Sequence, residues 1–280
     1  MLRSFAELIV LVVGLALIAR WFEPRLAFFP STGETVTPRE LGVQYEALSI
    51  VTADRERLHG WRLRADAPVA RVVYFHGNGG NLSVWAPILA GIARRGYEVL
   101  AFDYRGYGTS TGRPTERGLY RDVKAIVERL APADPPGPHD RRNLSTPTVY
   151  WGRSLGTAMA AYAATIRPPD GVILESGFPD VRSLLRSSPV LAFFSLFSSY
   201  RFPSAEFLQH VHVPVLVLHG DADTVIPFAQ GRKLFDRIEE PKQFITIRAG
   251  DHNDVTPRDA DAYWRSIDRF VAGLSKPTDR

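Results

Sequence analysis

Tyr150-Trp151-Gly152-Arg153-Ser154-Leu155-Gly156 is the stretch on which the reading of this chain turns. A β-type run, Pro147 to Trp151, meets a G-x-S-x-G, and a small-residue helix, Thr157 to Ile166, follows at once. That combination is a nucleophile elbow: a tight strand-to-helix turn holds the serine with its Oγ exposed above a sheet, and the next N–H faces the reacting oxygen. Gly152 and Gly156 leave room for a turn in which the serine holds a strained backbone and the helix packs close to the strand. The alternative is a glycine-rich β–α turn whose serine merely caps the helix. An acid and a histidine, following in that order, would decide between the two.

Both follow. The strand Val213 to Leu218 runs into His219-Gly220-Asp221-Ala222-Asp223-Thr224-Val225-Ile226-Pro227, and Gln243 to Ile247 runs into Ala249-Gly250-Asp251-His252-Asn253-Asp254. A serine hydroxyl needs an imidazole to take its proton, and the imidazole needs a carboxylate to fix its tautomer and stabilise the cation. Asp221 competes with Asp223 for the acid. The spacing G-x-x-D-x-x-hydrophobic-P favours Asp223, with Asp221 holding the turn. His219 is the rival base, but its place at a strand end reads as structural. His59 and His76 precede the serine, and His76 reads as a brace for its own loop. Asp251 and Asp254 flank His252 too closely to orient it, and read as loop or helix-cap residues. The oxyanion needs two donors, the N–H of Leu155 and one from the loop His76-Gly77-Asn78-Gly79. Asn78 is the first assignment there, with Gly79 as the alternative. A phosphate-binding glycine loop is disfavoured, since neither a P-loop lysine nor a full G-x-G-x-x-G is present.

Around these motifs, short apolar strands alternate with helices. Tyr45–Val51 and Leu58–Leu63 read as a hairpin about the polar turn Asp54–Arg57, and Arg71–Phe75, Tyr97–Phe102 and Gly171–Leu174 as buried strands. Leu82–Arg95, Glu116–Leu130, Phe228–Ile238 and Pro257–Leu274 read as helices. The pattern predicts an α/β class with a mostly parallel sheet covered on both faces. Ala131–Thr146 is a solvated loop. The stretch from Leu174 to Val213 is too long for a simple connection, and its middle, Pro189–Phe197, is strongly apolar. It reads either as a helix packed on the core or as an apolar cap, spanning about residues 178–212, that binds acyl chains.

The 280 residues carry a net charge of +4, with basic residues scattered rather than blocked, which argues against a nucleic-acid groove. The absence of cysteine excludes disulfides, zinc-thiolate sites and a thiol nucleophile. Leu8 to Ala19 is an unbroken apolar run, extended by Phe5, Ala6, Trp21 and Phe22 to about 18 residues, close to the minimum for a membrane span. Residues 1–24 are expected to form a single-pass signal-anchor. A cleaved signal peptide and a buried or surface-lying helix are the alternatives. Arg3 on one side, against Arg20 and Arg25 on the other, specifies orientation only weakly. Arg25–Thr37 reads as a connector.

Taken together, HGNGGN (His76–Asn81), FDYRGYGTS (Phe102–Ser110), GRSLG (Gly152–Gly156), GDADTVIP (Gly220–Pro227) and GDHND (Gly250–Asp254), behind a hydrophobic N-terminus, resemble the α/β-hydrolase superfamily. More narrowly they resemble its membrane-anchored serine hydrolases, which include the α/β-hydrolase-domain depalmitoylases and their bacterial relatives. The likeness runs from Arg71 to about Asn253. It implies an α/β-hydrolase domain over residues 25–280, with Ser154, Asp223 and His252 as nucleophile, acid and base, Asn78 and Leu155 as oxyanion donors, and no metal or cofactor. Asp103–Gly108 would be a structural strand-end motif. The elbow departs from many relatives in continuing Gly156-Thr157-Ala158, where they carry a second glycine. The expected activity is hydrolysis of carboxylic esters or thioesters, through an acyl-enzyme, of lipophilic or acylated small molecules. An amidase or peptidase of the same fold, and a catalytically silent membrane-anchored interaction protein, are the alternatives. The sequence carries no signal for oligomeric state.

Overall fold

The computed structural model describes residues 14, 23–129, 146–188, 192, 195, 198–254 and 259–274. The expected anchor (Gly14 and its last two residues apart), the loop before Thr146 and most of Pro189–Phe197 therefore lie outside the described residues. Among the described residues no helix is long and apolar enough to cross a membrane.

Among the described residues eight strands form one sheet. β2 (Tyr45–Val51) and β3 (Arg57–Leu63) pair antiparallel at one edge, and β3 pairs antiparallel with β6 (Glu98–Phe102). From β6 inward the sheet is parallel, in the order β6, β4 (Arg71–Phe75), β7 (Thr148–Arg153), β8 (Gly171–Glu175), β9 (Val215–Gly220), β10 (Lys242–Ile247). The inner parallel strands are buried almost end to end, which is why they read as apolar runs rather than alternating ones. Their side chains still alternate between two cores. Val73, Phe75 and Tyr150 face α2 (Glu116–Arg129) and α3 (Leu155–Ile166), whereas Val72, Tyr74 and Trp151 face α1 (Leu82–Ala93) and the C-terminal helix Ala260–Leu274. This is the α/β-hydrolase architecture that the motifs imply, with helices on both faces of the sheet.

Two features differ from the sequence reading. Helix α3 begins at Leu155, not Thr157, so its first turn lies directly after the serine. The stretch read as a connector is instead structured: residues 23–27 are helical, and β1 (Phe29–Pro30) pairs in parallel with β5 (Gly79–Gly80). That small ladder pins the segment onto the loop after β4, and Asn81 adds a bond from Nδ2 to the Gly33 carbonyl at 2.8 Å. The described part of residues 178–212 includes the short helices α4 (Val181–Arg186) and α5 (Ser204–Leu208). The stretch between them is tied down by two carboxylates. Glu116 of α2 accepts from the N–H groups of Arg201 and Phe202, both at 2.7 Å, and Glu23 accepts from Ser198 Oγ at 2.7 Å and Ser199 N at 2.8 Å.

Candidate active site

Strand β7 runs directly into Ser154, whose φ of +55° and ψ of −121° form a conformation rare outside glycine. Such a residue costs on the order of 1–3 kcal/mol and persists only where its surroundings over-determine it. Here they do. Ser154 N donates to the Glu175 carbonyl at 2.9 Å, while Thr157 donates to the Ser154 carbonyl from its N at 3.0 Å and its Oγ1 at 2.6 Å. A Cβ on Gly152 would lie 2.1 Å from the Gly156 carbonyl oxygen, and one on Gly156 would lie 1.9 Å from that of Phe75. Both positions thus need glycine. Ser154 makes no side-chain cap bond to α3, so the cap alternative is not what this turn adopts.

The expected acid and base approach from the ends of β9 and β10. Asp223 is buried, and its Oδ1 accepts from Val225 N at 3.0 Å and Ile226 N at 2.7 Å. Its Oδ2 lies 2.9 Å from His252 Nδ1, and His252 Nε2 lies 3.2 Å from Ser154 Oγ. Burial pushes the Asp223 carboxyl up, but the imidazole of His252 and the Ile226 N–H outweigh it and hold the group below the ordinary carboxylate range. Close backbone packing brings the two loops together, since a Cβ on Gly220 would sit 2.2 Å from the Gly250 carbonyl oxygen. The rival carboxylates act within these loops. Asp221 accepts from Ala249 N at 2.6 Å, Asp251 from Thr224 N at 2.8 Å, and Asp254 from Asp251 N at 2.8 Å.

The rival histidines make other bonds, although His219 Nε2 also lies 3.4 Å from Asp223 Oδ2. His219 is buried and bonds the Ile226 carbonyl at 2.9 Å, with burial lowering its pKa. His59 pairs with Glu34 at 3.0 Å. His76 is buried and donates from Nδ1 to the Gly77 carbonyl at 2.7 Å, since burial lowers its pKa to about 4 and keeps it neutral. That bond has a consequence for Asn78. The Gly77 carbonyl and the Asn78 N–H share one planar trans peptide and point in opposite directions, so fixing the first fixes the second. The Asn78 side chain is committed to the Ala27 carbonyl at 2.7 Å, and the Asn78 carbonyl accepts from Tyr107 OH at 2.9 Å. Among the described residues no hydrogen bond uses the backbone N–H of Asn78 or of Leu155, and both residues line the cavity beside Ser154. The Asp103–Gly108 turn braces this loop. Tyr104 OH donates to the His76 carbonyl at 3.0 Å, and Asp103 Oδ1 accepts from Leu82 N at 2.9 Å.

Sequence reasoning passed over two contributors. Arg153, the variable residue before the serine, is buried and donates from Nη2 to the carbonyls of His252 at 2.7 Å and Asp254 at 3.1 Å. It therefore ties the histidine loop to the elbow strand. The only sequence signal was a charged residue inside an otherwise buried strand end. The second contributor is the stretch around residues 23–29, which walls the site. Ser154 and His252 open onto a cavity of about 950 Å³ whose apolar lining includes Phe28, Trp85, Ile88, Leu184, Tyr200 and Phe202. Among the described residues no group of three or more His, Cys, Asp or Glu side chains is placed to hold a metal ion.

Two family models match the chain, the alpha/beta hydrolase fold over residues 70–189 and a serine hydrolase family (FSH1) over residues 149–261. An uncharacterised protein of Mycobacterium tuberculosis is 31% identical over 268 residues, covering 94% of this chain and 92% of its own. The lysophosphatidylserine lipase ABHD12 of Danio rerio is 33% identical over 197 residues, covering 61% of this chain and 48% of its own. Among solved structures, the esterase Pf2001 of Pyrococcus furiosus superposes with a TM-score of 0.67 at 19% identity, over 89% of this chain and 98% of its own; at that identity the likeness is one of fold.

Proposed function

The chain belongs to the α/β-hydrolase family and is an enzyme of its serine hydrolase, esterase-like type, and from that premise we propose that it cleaves carboxylic esters or thioesters of lipophilic acyl groups through Ser154, His252 and Asp223. The observation that carries this reading is the hydrogen-bonded chain from Ser154 Oγ to His252 Nε2 at 3.2 Å and from His252 Nδ1 to Asp223 Oδ2 at 2.9 Å, at the wall of an apolar cavity. His252 takes the Oγ proton as the oxygen attacks the acyl carbonyl. Asp223 holds the imidazole with its proton on Nδ1 and stabilises the imidazolium. The N–H groups of Leu155 and Asn78 receive the oxyanion of the tetrahedral intermediate. Its collapse expels the alkoxide or thiolate, which takes the proton from His252 Nε2 and leaves an acyl-Ser154. Water, deprotonated by the same nitrogen, then adds to the acyl carbon; the acid departs and Ser154 recovers its proton.

The cavity supports a lipophilic acyl group, since only a few polar groups interrupt its apolar lining. A relative named for a lysophospholipid lipase supports the same class. In this reading residues 1–24 anchor the enzyme in a membrane, residues 25–280 form the hydrolase domain, and about 178–212 form a cap whose helix α4 walls the acyl site with Val181, Leu184 and Leu185. The test is labelling of the purified chain with a fluorophosphonate probe, wild type beside Ser154→Ala, followed by p-nitrophenyl esters of rising chain length. Labelling and turnover by wild type alone, with an optimum at medium or long acyl chains, is expected. A Ser154→Ala enzyme that hydrolyses esters at the wild-type rate would sink the mechanism.

A further inference from the structure

Large apolar side chains more than half exposed are few among the described residues: Leu26 (71%), Phe29 (60%), Val51 (65%), Val69 (53%), Val84 (59%) and Val225 (53%). Leu26, Phe29, Val84 and Val225 all line the cavity at Ser154, although they come from three separate parts of the chain. Exposed apolar side chains gathered around one opening mark an interaction surface, whereas scattered ones need no explanation. The route of the chain identifies what they meet. The apolar run Leu8–Ala19, followed by Trp21 and Phe22, leads into Glu23, which itself lines the cavity and is tied to Ser198 and Ser199. Residues 23–27 are helical, so Leu26 lies only about 5 Å along the axis from Glu23. A membrane segment ending at Phe22 would therefore set this opening at the lipid surface, where aromatic and apolar side chains partition into the interface.

Resting on the anchor and lipophilic substrate of the proposed function, we infer that Leu26, Phe29, Val84 and Val225 form a rim seated in a lipid bilayer, so that the cavity fills from the membrane rather than from water. The surface commits to lipid as its occupant. Because the chain contains no cysteine, single sites can be labelled uniquely. Val84→Cys and Val225→Cys report on the rim; Val51→Cys and Val69→Cys, exposed but away from the cavity, serve as controls. Each full-length variant is labelled with bimane and reconstituted in phosphatidylcholine vesicles with and without brominated acyl chains. The expected result is a blue shift and loss of emission at the rim positions with brominated lipid, and neither at the controls. Rim labels that behave as the controls do would overturn the inference. So would rim labels shielded from aqueous iodide yet unquenched by bromolipid, because the chain's own N-terminal run or a second copy would then be the cover. Turnover of p-nitrophenyl butyrate by the labelled controls, beside Ser154→Ala, reports separately on the catalytic reading. If the rim is quenched but no Ser154-dependent turnover is seen, docking stands and the catalytic proposal fails.

Discussion

Asp223→Asn gives the sharpest test of the assigned chemistry, because the structure dictates how the amide would sit. Oδ1 of Asp223 accepts from two backbone N–H groups, those of Val225 and Ile226, at 3.0 and 2.7 Å. The single carbonyl oxygen of asparagine would take that place, and its NH2 would face His252 Nδ1. That nitrogen would have to become an acceptor, moving the imidazole proton to Nε2, where it points at Ser154 Oγ and cannot receive its proton. The flipped amide keeps the productive tautomer but gives up two hydrogen bonds worth about 0.5–1.5 kcal/mol each and sets NH2 against two N–H donors. A penalty above about 2 kcal/mol leaves fewer than roughly one molecule in thirty flipped. The loss in kcat should thus be at least about 30-fold, and the wrong-tautomer precedent in serine proteases puts it near 10⁴-fold, about 5.4 kcal/mol. KM should move little, because Asp223 does not line the cavity. The assay is kcat and KM on p-nitrophenyl butyrate, with thermal unfolding to establish that the variant is folded. Asp251→Asn, whose amide oxygen can still accept from Thr224, should stay within a few-fold of wild type. A folded Asp223→Asn enzyme within tenfold of wild type would refute the assignment, and a larger loss in Asp251→Asn would redirect it.

The strain at the elbow predicts that Ser154→Gly abolishes turnover yet raises stability by about 1 kcal/mol, read as a higher denaturation midpoint. Gly156→Ala, whose Cβ would press on the Phe75 carbonyl, should destabilise by several kcal/mol or prevent folding, whereas Gly91→Ala, with open space inside α1, should stabilise by about 0.5–1 kcal/mol in the same melt. Burial raises the Asp103 carboxyl to about 7. Between its unfolded value near ~4 and about 7, the folded chain therefore holds a proton that the unfolded chain has lost, and stability from this group falls as pH rises through that window. Asp103→Asn keeps an acceptor for Leu82 N and has no such titration, so its Tm relative to wild type should climb from pH 5 to pH 8. A flat difference would show that Asp103 is ionised throughout.

What was legible in the sequence was the part of the site set by local backbone geometry. A strand that must end in a positive-φ serine flanked by two close approaches needs Gly152 and Gly156, so spacing alone reveals it. The same holds for Asp223, whose loop turns on its own Oδ1, whereas the bonds of Tyr104 and Tyr107 to the loop after β4 show only in the structure. Walls of the cavity follow another logic. Leu184 and Leu119 are chemically identical, yet one lines the opening and the other fills the core under α2, and only long-range docking separates them. That docking is carried by carboxylates that accept from backbone N–H groups, Glu116 from Arg201 and Phe202, and Glu23 from Ser199 alongside the hydroxyls of Ser198 and Ser199. Backbone donors exist at nearly every residue, so such a pairing leaves no complementary residue to find in the sequence. Arg153 falls partly in the same class, because beside its looser ion pair with Glu175 at 3.7 Å its two hydrogen bonds run to main-chain carbonyls about a hundred residues away. The elements proposed to perform the chemistry are thus encoded by spacing, while those that size and aim the cavity act largely through generic backbone groups. Substitutions at Glu23 or Glu116 should accordingly alter acyl-chain preference while the rate constant for acylation of short esters holds, since these residues touch the wall and not the reacting atoms.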